Sequence, residues 1–205
     1  LSSMDESIAR IEKAIPYPVF IKPANLGSSV GITKCRSRSG LYEGLLEASL
    51  YDRRVLVEQG INAREIEVSV LGNEDVIVSI PGEIRPSDEF YTYEAKYYDE
   101  ASELIIPAKV TESEADSLKS LAIKAYKAID GAGMARVDFL MDRDSHEIYL
   151  SEINTIPGFT RISMYPKLMQ AVGIPYEELV VKLVDLALQR KSDRDKTVHT
   201  YRREA

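Results

Sequence analysis

Four side chains in the stretch ARVDFLMDRDSHEIYLSEIN, residues 135–154, are of types that could work together. Successive side chains of a strand alternate between faces. Arg136 and Asp138 therefore share one face of a strand over 134–142, and Glu152 and Asn154 share one face of a strand over 147–154. Val137, Phe139 and Ile153 point the other way, towards a core. RDSH joins the two strands as an antiparallel hairpin. One rigid face would then carry Asp, Glu and Asn oxygens beside a guanidinium. Hard divalent cations take oxygen ligands, and Mg²⁺ usually takes one or two carboxylates plus substrate phosphates. A solvated sheet face with an Arg136–Asp138 salt bridge has the same spacing, so spacing leaves both readings open.

A second constellation lies in FIKPANLGSSVGITK, residues 20–34. An apolar run ends at Lys22-Pro23, a Gly/Ser turn follows, and apolar residues resume at Val30 and Ile32. Glycines let backbone N–H groups approach phosphate oxygens closely, and a lysine at the strand end can neutralise their charge. The pattern is neither a Walker A motif nor G-x-G-x-x-G. Taken alone, these residues favour a flexible hairpin with a snorkelling lysine. In VEQGINAREIEV, residues 57–68, Glu58 and Glu65 could accept from an adenine amino group and a ribose hydroxyl, or could line a surface turn. Lys96-Tyr97 lies in PSDEFYTYEAKYYDEASE, residues 86–103, a long Tyr-rich stretch with no convincing element of its own. Such a stretch could form a lid that carries a cation to a phosphate and excludes water, or could pack along an edge strand.

Several elements must position these residues. Helical spacing covers 5–15 until Pro16 and Pro18 stop it, and 40–51 is amphipathic. Strand patterns cover 54–60, 64–71, 75–80 and 103–108. Thr111 with Glu114 forms a capping box opening a helix over 112–129, which Gly131 and Gly133 end. Helices follow over 163–172 and 175–190. The charged tail 191–205 has no apolar period and reads as frayed. Strands and helices with many antiparallel connections make the class α+β. His146, in a turn, and His199, in the tail, read as neither ligand nor base, and Cys35 as a small core residue.

The bulk numbers narrow the partners. The 205 residues carry a net charge of −7, which argues against nucleic-acid or anionic-membrane binding. A single cysteine excludes an intrachain disulfide framework and fits a reducing cytoplasm. No apolar run approaches the roughly 18 residues of a membrane span, and the start of the chain is not a signal peptide.

Taken together, "FIKPANLGSSVGI", "VLVEQGINAREIEV", "FYTYEAKY", "ELIIPA", "ARVDFL" and "EINTIPGFTRISMYPKL" resemble the D-alanine–D-alanine ligase family, in the family's order and over residues 17–190. The resemblance implies an ATP-grasp fold in two subdomains: residues 1–61 as part of the central one, and 62–190 as the C-terminal one with an omega loop at 86–103 and a metal hairpin at 134–154. It implies ATP and two Mg²⁺ (or Mn²⁺) ions. Lys22 and the loop 27–31 then meet the nucleotide phosphates, Glu58 and the Ile61 backbone meet adenine, and Glu65 the ribose. Lys96 reaches the γ-phosphate. Asp138, Glu152 and Asn154 hold the metals. Arg136 and the Gly158 N–H stabilise an oxyanion. Ser163 and Met164 lie at the second amino acid's carboxylate, with Tyr91 also at the substrate. Ser28 and Tyr97 belong to a catalytic hydrogen-bonded set. The implied reaction joins two D-alanines through an acyl phosphate for peptidoglycan precursors, in the cytoplasm, in a protein that is a homodimer at full length. D-lactate or D-serine as second substrate, another acid, and a non-catalytic Mg-ATP-binding fragment are the rival readings. The family's N-terminal domain has no counterpart here, so the expectation is a truncated ligase, inactive by itself.

Overall fold

The computed structural model describes residues 2–27, 29–85 and 103–197. The expectations placed on Ser28, Tyr91, Lys96, Tyr97 and His199 lie outside the described residues. The chain divides into two compact units, one reaching to Asn62 and one built from Ala63–Arg85 with the chain after Glu103.

In the first unit, strands β1 (Val19–Pro23), β2 (Thr33–Cys35) and β3 (Val55–Gln59) form an antiparallel sheet in the order β2-β1-β3. Helices α1 (Ser2–Ala14) and α2 (Arg38–Tyr51) supply the rest of its core. The spaced isoleucines of α1 and the alternation of β1 meet there: Ile8, Val19, Ile21, Cys35, Leu41 and Ala48 are all buried. Ser37 caps α2, its hydroxyl accepting from the Gly40 N–H. A Cβ on Gly44 would lie 2.7 Å from Ile21 Cδ1, so this glycine sets how closely helix and strand approach.

In the second unit, β4 (Ala63–Gly72), β5 (Val76–Val78), β6 (Gly82–Arg85), β7 (Glu103–Ile105), β8 (Gly133–Asp142) and β9 (Ile148–Asn154) form one sheet. Its order is β7-β6-β4-β8-β9, with β5 also paired to β4. Helix α3 (Glu112–Ala128) covers one face: Leu118, Ala122 and Tyr126 pack on Ile66, Val68, Val70, Val137, Phe139 and Met141. The predicted capping box is present, with both Thr111 and Glu114 bonds made. Helices α4 (Met164–Ala171) and α5 (Tyr176–Asp195) cover part of the opposite face through Leu71, Tyr165, Met169, Ile174 and Leu179. Tyr165 O–H donates to Val70 O at 3.1 Å, and Ser69 Oγ to Tyr165 O at 3.4 Å, fixing α4 to β4.

Three differences from the sequence expectations have physical causes. β6 had no strand signature, because it holds a single isoleucine between Pro81 and Pro86. The strand expected over 103–108 ends at Ile105, before Pro107, which lacks an N–H for the ladder. The tail expected to fray from 191 is helical to Asp195. The ion pairs Lys191–Asp195 at i,i+4 and Arg190–Asp130 support the polar last turns of this helix, beyond the apolar stripe of Leu179, Leu183 and Leu186.

Candidate functional site

Strands β4, β8 and β9 lie side by side and set one polar face in register. Asp138 stands opposite Glu67 on one side and Glu152 on the other; Arg136 stands opposite Ser69 and Asn154. Val137 and Ile153, of opposite parity, face the α3 core, as the alternation predicted. Between Asp138 and Phe139 the register slips by one residue, so Ser151 is the extra residue on β9.

Arg136 is the fixed point of this face. Its Nε donates to Asp138 Oδ1 at 2.7 Å and its Nη2 to Asp138 Oδ2 at 2.6 Å, a bidentate pair. Glu67 Oε2 stands 3.1 Å from the same Nε. Burial alone would push the Arg136 pKa down. The Asp138 hydrogen bonds and the charges of Glu67, Asp138 and Glu152 outweigh it, and the guanidinium is held above its ordinary value. It is a permanent, oriented cation in a partly desolvated place.

Sequence reasoning passed over Glu67, which is only 5% exposed. The sequence held part of the signal: within REIEVSVL it shares the parity of Glu65, which sets it on a polar face but not beside Arg136.

The predicted oxygen set can be tested against hard-cation chemistry. Glu152 is exposed, Asp138 and Asn154 are half-buried, and all three belong to a rigid two-strand hairpin. Asn154 Nδ2 donates to Glu152 Oε1 at 3.3 Å, so its amide is already turned towards the glutamate. Among the described residues no group of three or more His, Cys, Asp or Glu side chains is spaced to hold a metal. The set here offers two carboxylates and one amide oxygen. That suits Mg²⁺ or Mn²⁺ completed by substrate phosphates and water rather than an all-protein cage.

After Asn154 the chain forms a compact loop to α4. Ser163 N–H donates to Thr160 O at 3.0 Å, Thr160 N–H donates to Ser163 Oγ at 3.1 Å, and the two hydroxyl oxygens are 2.8 Å apart. Gly158 is exposed and lies beside that hydroxyl: a Cβ there would be 3.1 Å from Ser163 Oγ. Ser163 caps α4 by position, and Met164, its first residue, is buried.

The first unit brings together Lys22 and Glu58, whose Nζ and Oε1 are 2.7 Å apart across the β1–β3 ladder. Ile61 lies two residues past the end of β3, and the intervening Gly60 N–H donates to Pro18 O at 2.8 Å. In the loop after β1, the Val30 N–H donates to Gly27 O at 3.2 Å and the Ile32 N–H to Ser29 O at 3.3 Å. Ser29 and Gly31 have φ of 60° and 69°. Gly31 is required there, because a Cβ would meet Tyr51 Cδ2 at 2.8 Å. Asp52 braces the stem of this loop by accepting from the Asn25 N–H and Nδ2 at 2.9 and 2.7 Å. The Arg54 N–H, then Asn25, hold its carboxyl below the usual range. Asp52 carried no motif signal. Glu65 belongs to β4 in the second unit.

The chain resembles known proteins over most of its length. The family described as "D-ala D-ala ligase C-terminus" matches residues 1–185. A D-alanine--D-alanine ligase from Caldicellulosiruptor bescii is 56% identical over 190 residues, 93% of this chain and 52% of that protein. One from Clostridium acetobutylicum is 56% identical over 191 residues, 93% of this chain and 56% of that protein. Among solved structures, the D-alanine-D-alanine ligase of Coxiella burnetii superposes with a TM-score of 0.82 at 34% identity, covering 94% of this chain and 51% of that one. The D-Ala:D-Ser ligase of Enterococcus faecalis gives 0.80 at 36% identity, covering 89% and 53%. The chain spans about half the length of the curated relatives it matches.

Proposed function

Because this chain belongs to the family described as the D-ala D-ala ligase C-terminus, we propose that it is the nucleotide- and metal-handling part of an ATP-dependent ligase that makes D-alanyl-D-alanine. Residues 1–61 then belong to a central ATP-grasp subdomain and 62–190 to the C-terminal one. A carboxylate oxygen of the first D-alanine attacks the γ-phosphorus of ATP, ADP leaves, and an acyl phosphate forms. The amine of the second D-alanine attacks the acyl carbon, loses a proton, and inorganic phosphate leaves with the bonding pair.

The residues suit this chemistry, which asks for positioning and charge neutralisation rather than a protein nucleophile. Lys22 neutralises phosphate charge, and the loop 27–31, with Ser28, presents N–H groups to it. Glu58 and the Ile61 backbone receive the adenine, Glu65 the ribose. Lys96 reaches the γ-phosphate, Tyr91 meets the substrate, and Tyr97 belongs with Ser28 to a catalytic hydrogen-bonded set. Asp138, Glu152 and Asn154 would hold two divalent ions, which when bound disperse phosphate charge. Arg136 and the Gly158 N–H face the oxyanion of the tetrahedral intermediate. Ser163 and the start of α4 receive the second carboxylate, where the helix dipole favours an anion, and Met164 bounds that place. The carrying observation is Arg136, oriented by two carboxylates in the middle of an oxygen-rich three-strand face. The same reading carries a cytoplasmic location, a role in peptidoglycan precursor synthesis and a homodimer at full length.

The likeness to a D-Ala:D-Ser ligase gives D-serine as a second acceptor reading. The more similar D-alanine-named relatives favour D-alanine. The test is a chimera in which this chain replaces the matched segment of the Clostridium acetobutylicum relative. With MgATP and D-alanine it should release phosphate and form the dipeptide, detected by mass spectrometry, and D-serine should compete poorly. The 205-residue chain alone should form none. A chimera that melts cooperatively and binds MgATP yet releases no phosphate would leave only a nucleotide-binding module.

A further inference from the structure

Helix α5 starts directly behind the loop between β9 and α4, and its first residue reaches into that loop three ways. Tyr176 O–H donates to Phe159 O at 2.9 Å. Its ring lies 5.4 Å from the Phe159 ring, which is itself 6.1 Å from Tyr165, so Phe159 is held between two tyrosines. The Arg161 guanidinium lies 5.1 Å over the Tyr176 ring, and its Nη2 donates to Glu177 Oε1 at 2.8 Å. The residues so gripped, Phe159 and Arg161, flank Thr160, the partner of the Ser163 hydroxyl, and Phe159 follows Gly158 directly. Tyr165 is tied in turn to β4 through Val70 O.

We infer that Tyr176 is a positioning residue for the acceptor amino acid: from α5 it fixes the Gly158–Ser163 loop and so sets acceptor affinity without touching substrate. The inference rests on the ligase reading, because Gly158 and Ser163 receive their roles there. A phenol suits the task. Its ring is rigid and apolar where Phe159 must be stacked, and its hydroxyl satisfies a loop carbonyl that no ladder reaches. The hydroxyl–carbonyl bond is also uncharged, so Tyr176→Phe neither adds nor removes a charge near the Arg136 face.

Two measurements test this. In the 205-residue chain, Tyr176→Phe removes only the hydroxyl. The amides of Thr160 and Ser163 should then exchange about fivefold faster, the fold-change of one neutral hydrogen bond. Those of Ile66 and Val137 should not change. Tyr176→Ala should speed the loop amides further. In the chimera, Tyr176→Phe should raise the acceptor KM about threefold to tenfold, with the ATP KM unchanged. Tyr176→Leu, which keeps bulk but not stacking or hydroxyl, should behave like Tyr176→Ala. Unchanged loop exchange overturns the clamp. Faster exchange with an unaltered acceptor KM, or equal rises in both KM values, overturns the positioning role. An inert unsubstituted chimera counts against the ligase reading instead, and the exchange measurement still decides the clamp.

Discussion

Replacing Glu67 by Gln isolates the second carboxylate that holds Arg136. At 3.1 Å, a unit charge pair has a gross attraction of about 5 kcal/mol at an effective dielectric near 20. Desolvation of both partners cancels much of that. Stranding a buried charge completely costs about 3–5 kcal/mol, but Asp138 keeps both hydrogen bonds to Arg136 in this variant. The expected loss is therefore about 1–2 kcal/mol, or a Tm lower by about 2–8 °C for a chain of this size. The assay is a double-mutant cycle of Glu67→Gln and Asp138→Asn in the 205-residue chain, with exchange of the β4 and β8 amides reporting the second unit by itself. Both acids act on one guanidinium, so the double variant should depart from additivity by at least about 0.5 kcal/mol. Additive effects, or a Glu67→Gln chain as stable as the parent, would show that Glu67 does not share the load on Arg136.

Two further outcomes follow from other contacts. Arg64 donates to Glu83 at 3.1 and 2.6 Å and to Lys109 O at 2.9 Å, and Glu83 is 3% exposed. The Arg64 hydrogen bonds hold the Glu83 carboxyl below its ordinary value. Its contribution is thus present above an unfolded pKa of about 4.3 and lost as pH falls through the folded value. Glu83→Gln should cost about 2–4 kcal/mol at pH 7, and the gap in urea midpoints should close below about pH 4; a gap independent of pH contradicts this. Gly158→Ala places a Cβ 3.1 Å from Ser163 Oγ, so the hydroxyl must move by a few tenths of an ångström. Stability should change by less than about 1 kcal/mol while the acceptor KM of the chimera rises; an unaltered KM would detach Gly158 from the acceptor.

What was legible in the sequence depended on periodicity. The hairpin with Arg136, Asp138, Glu152 and Asn154 could be read because period-2 alternation separates them from Val137 and Ile153. The capping box at Thr111 and Glu114 could be read because its spacing is local. Glu67 was missed because its meaning comes from a neighbouring strand: only the β4–β8 register sets it beside Arg136. Tyr176 was missed for the same reason, since nothing local says that an α5 tyrosine meets a carbonyl 17 residues earlier. Asp52 and the β6 strand likewise depend on partners distant in the chain. His146, set aside as a turn residue, is joined through Nδ1 to Glu114 of the capping box at 2.7 Å.

The one-residue slip at Ser151 has a consequence for how β9 tolerates change. By strict alternation Ile148, Leu150, Glu152 and Asn154 would all project to one side. With the slip, Ile148 pairs with Met141 and joins the α3 core, while Glu152 still stands opposite Asp138 on the polar side. The strand behaves as two reading frames spliced at a serine, one apolar and one acidic. Removing Ser151 would close the bulge and join the two frames in strict alternation, with Leu150 still opposite Phe139 and Glu152 still opposite Asp138; removing any residue from either side of it would instead put the acidic frame out of step with the apolar one. Ser151 is thus the one place in this strand where a residue can be lost without turning a side chain to the wrong face.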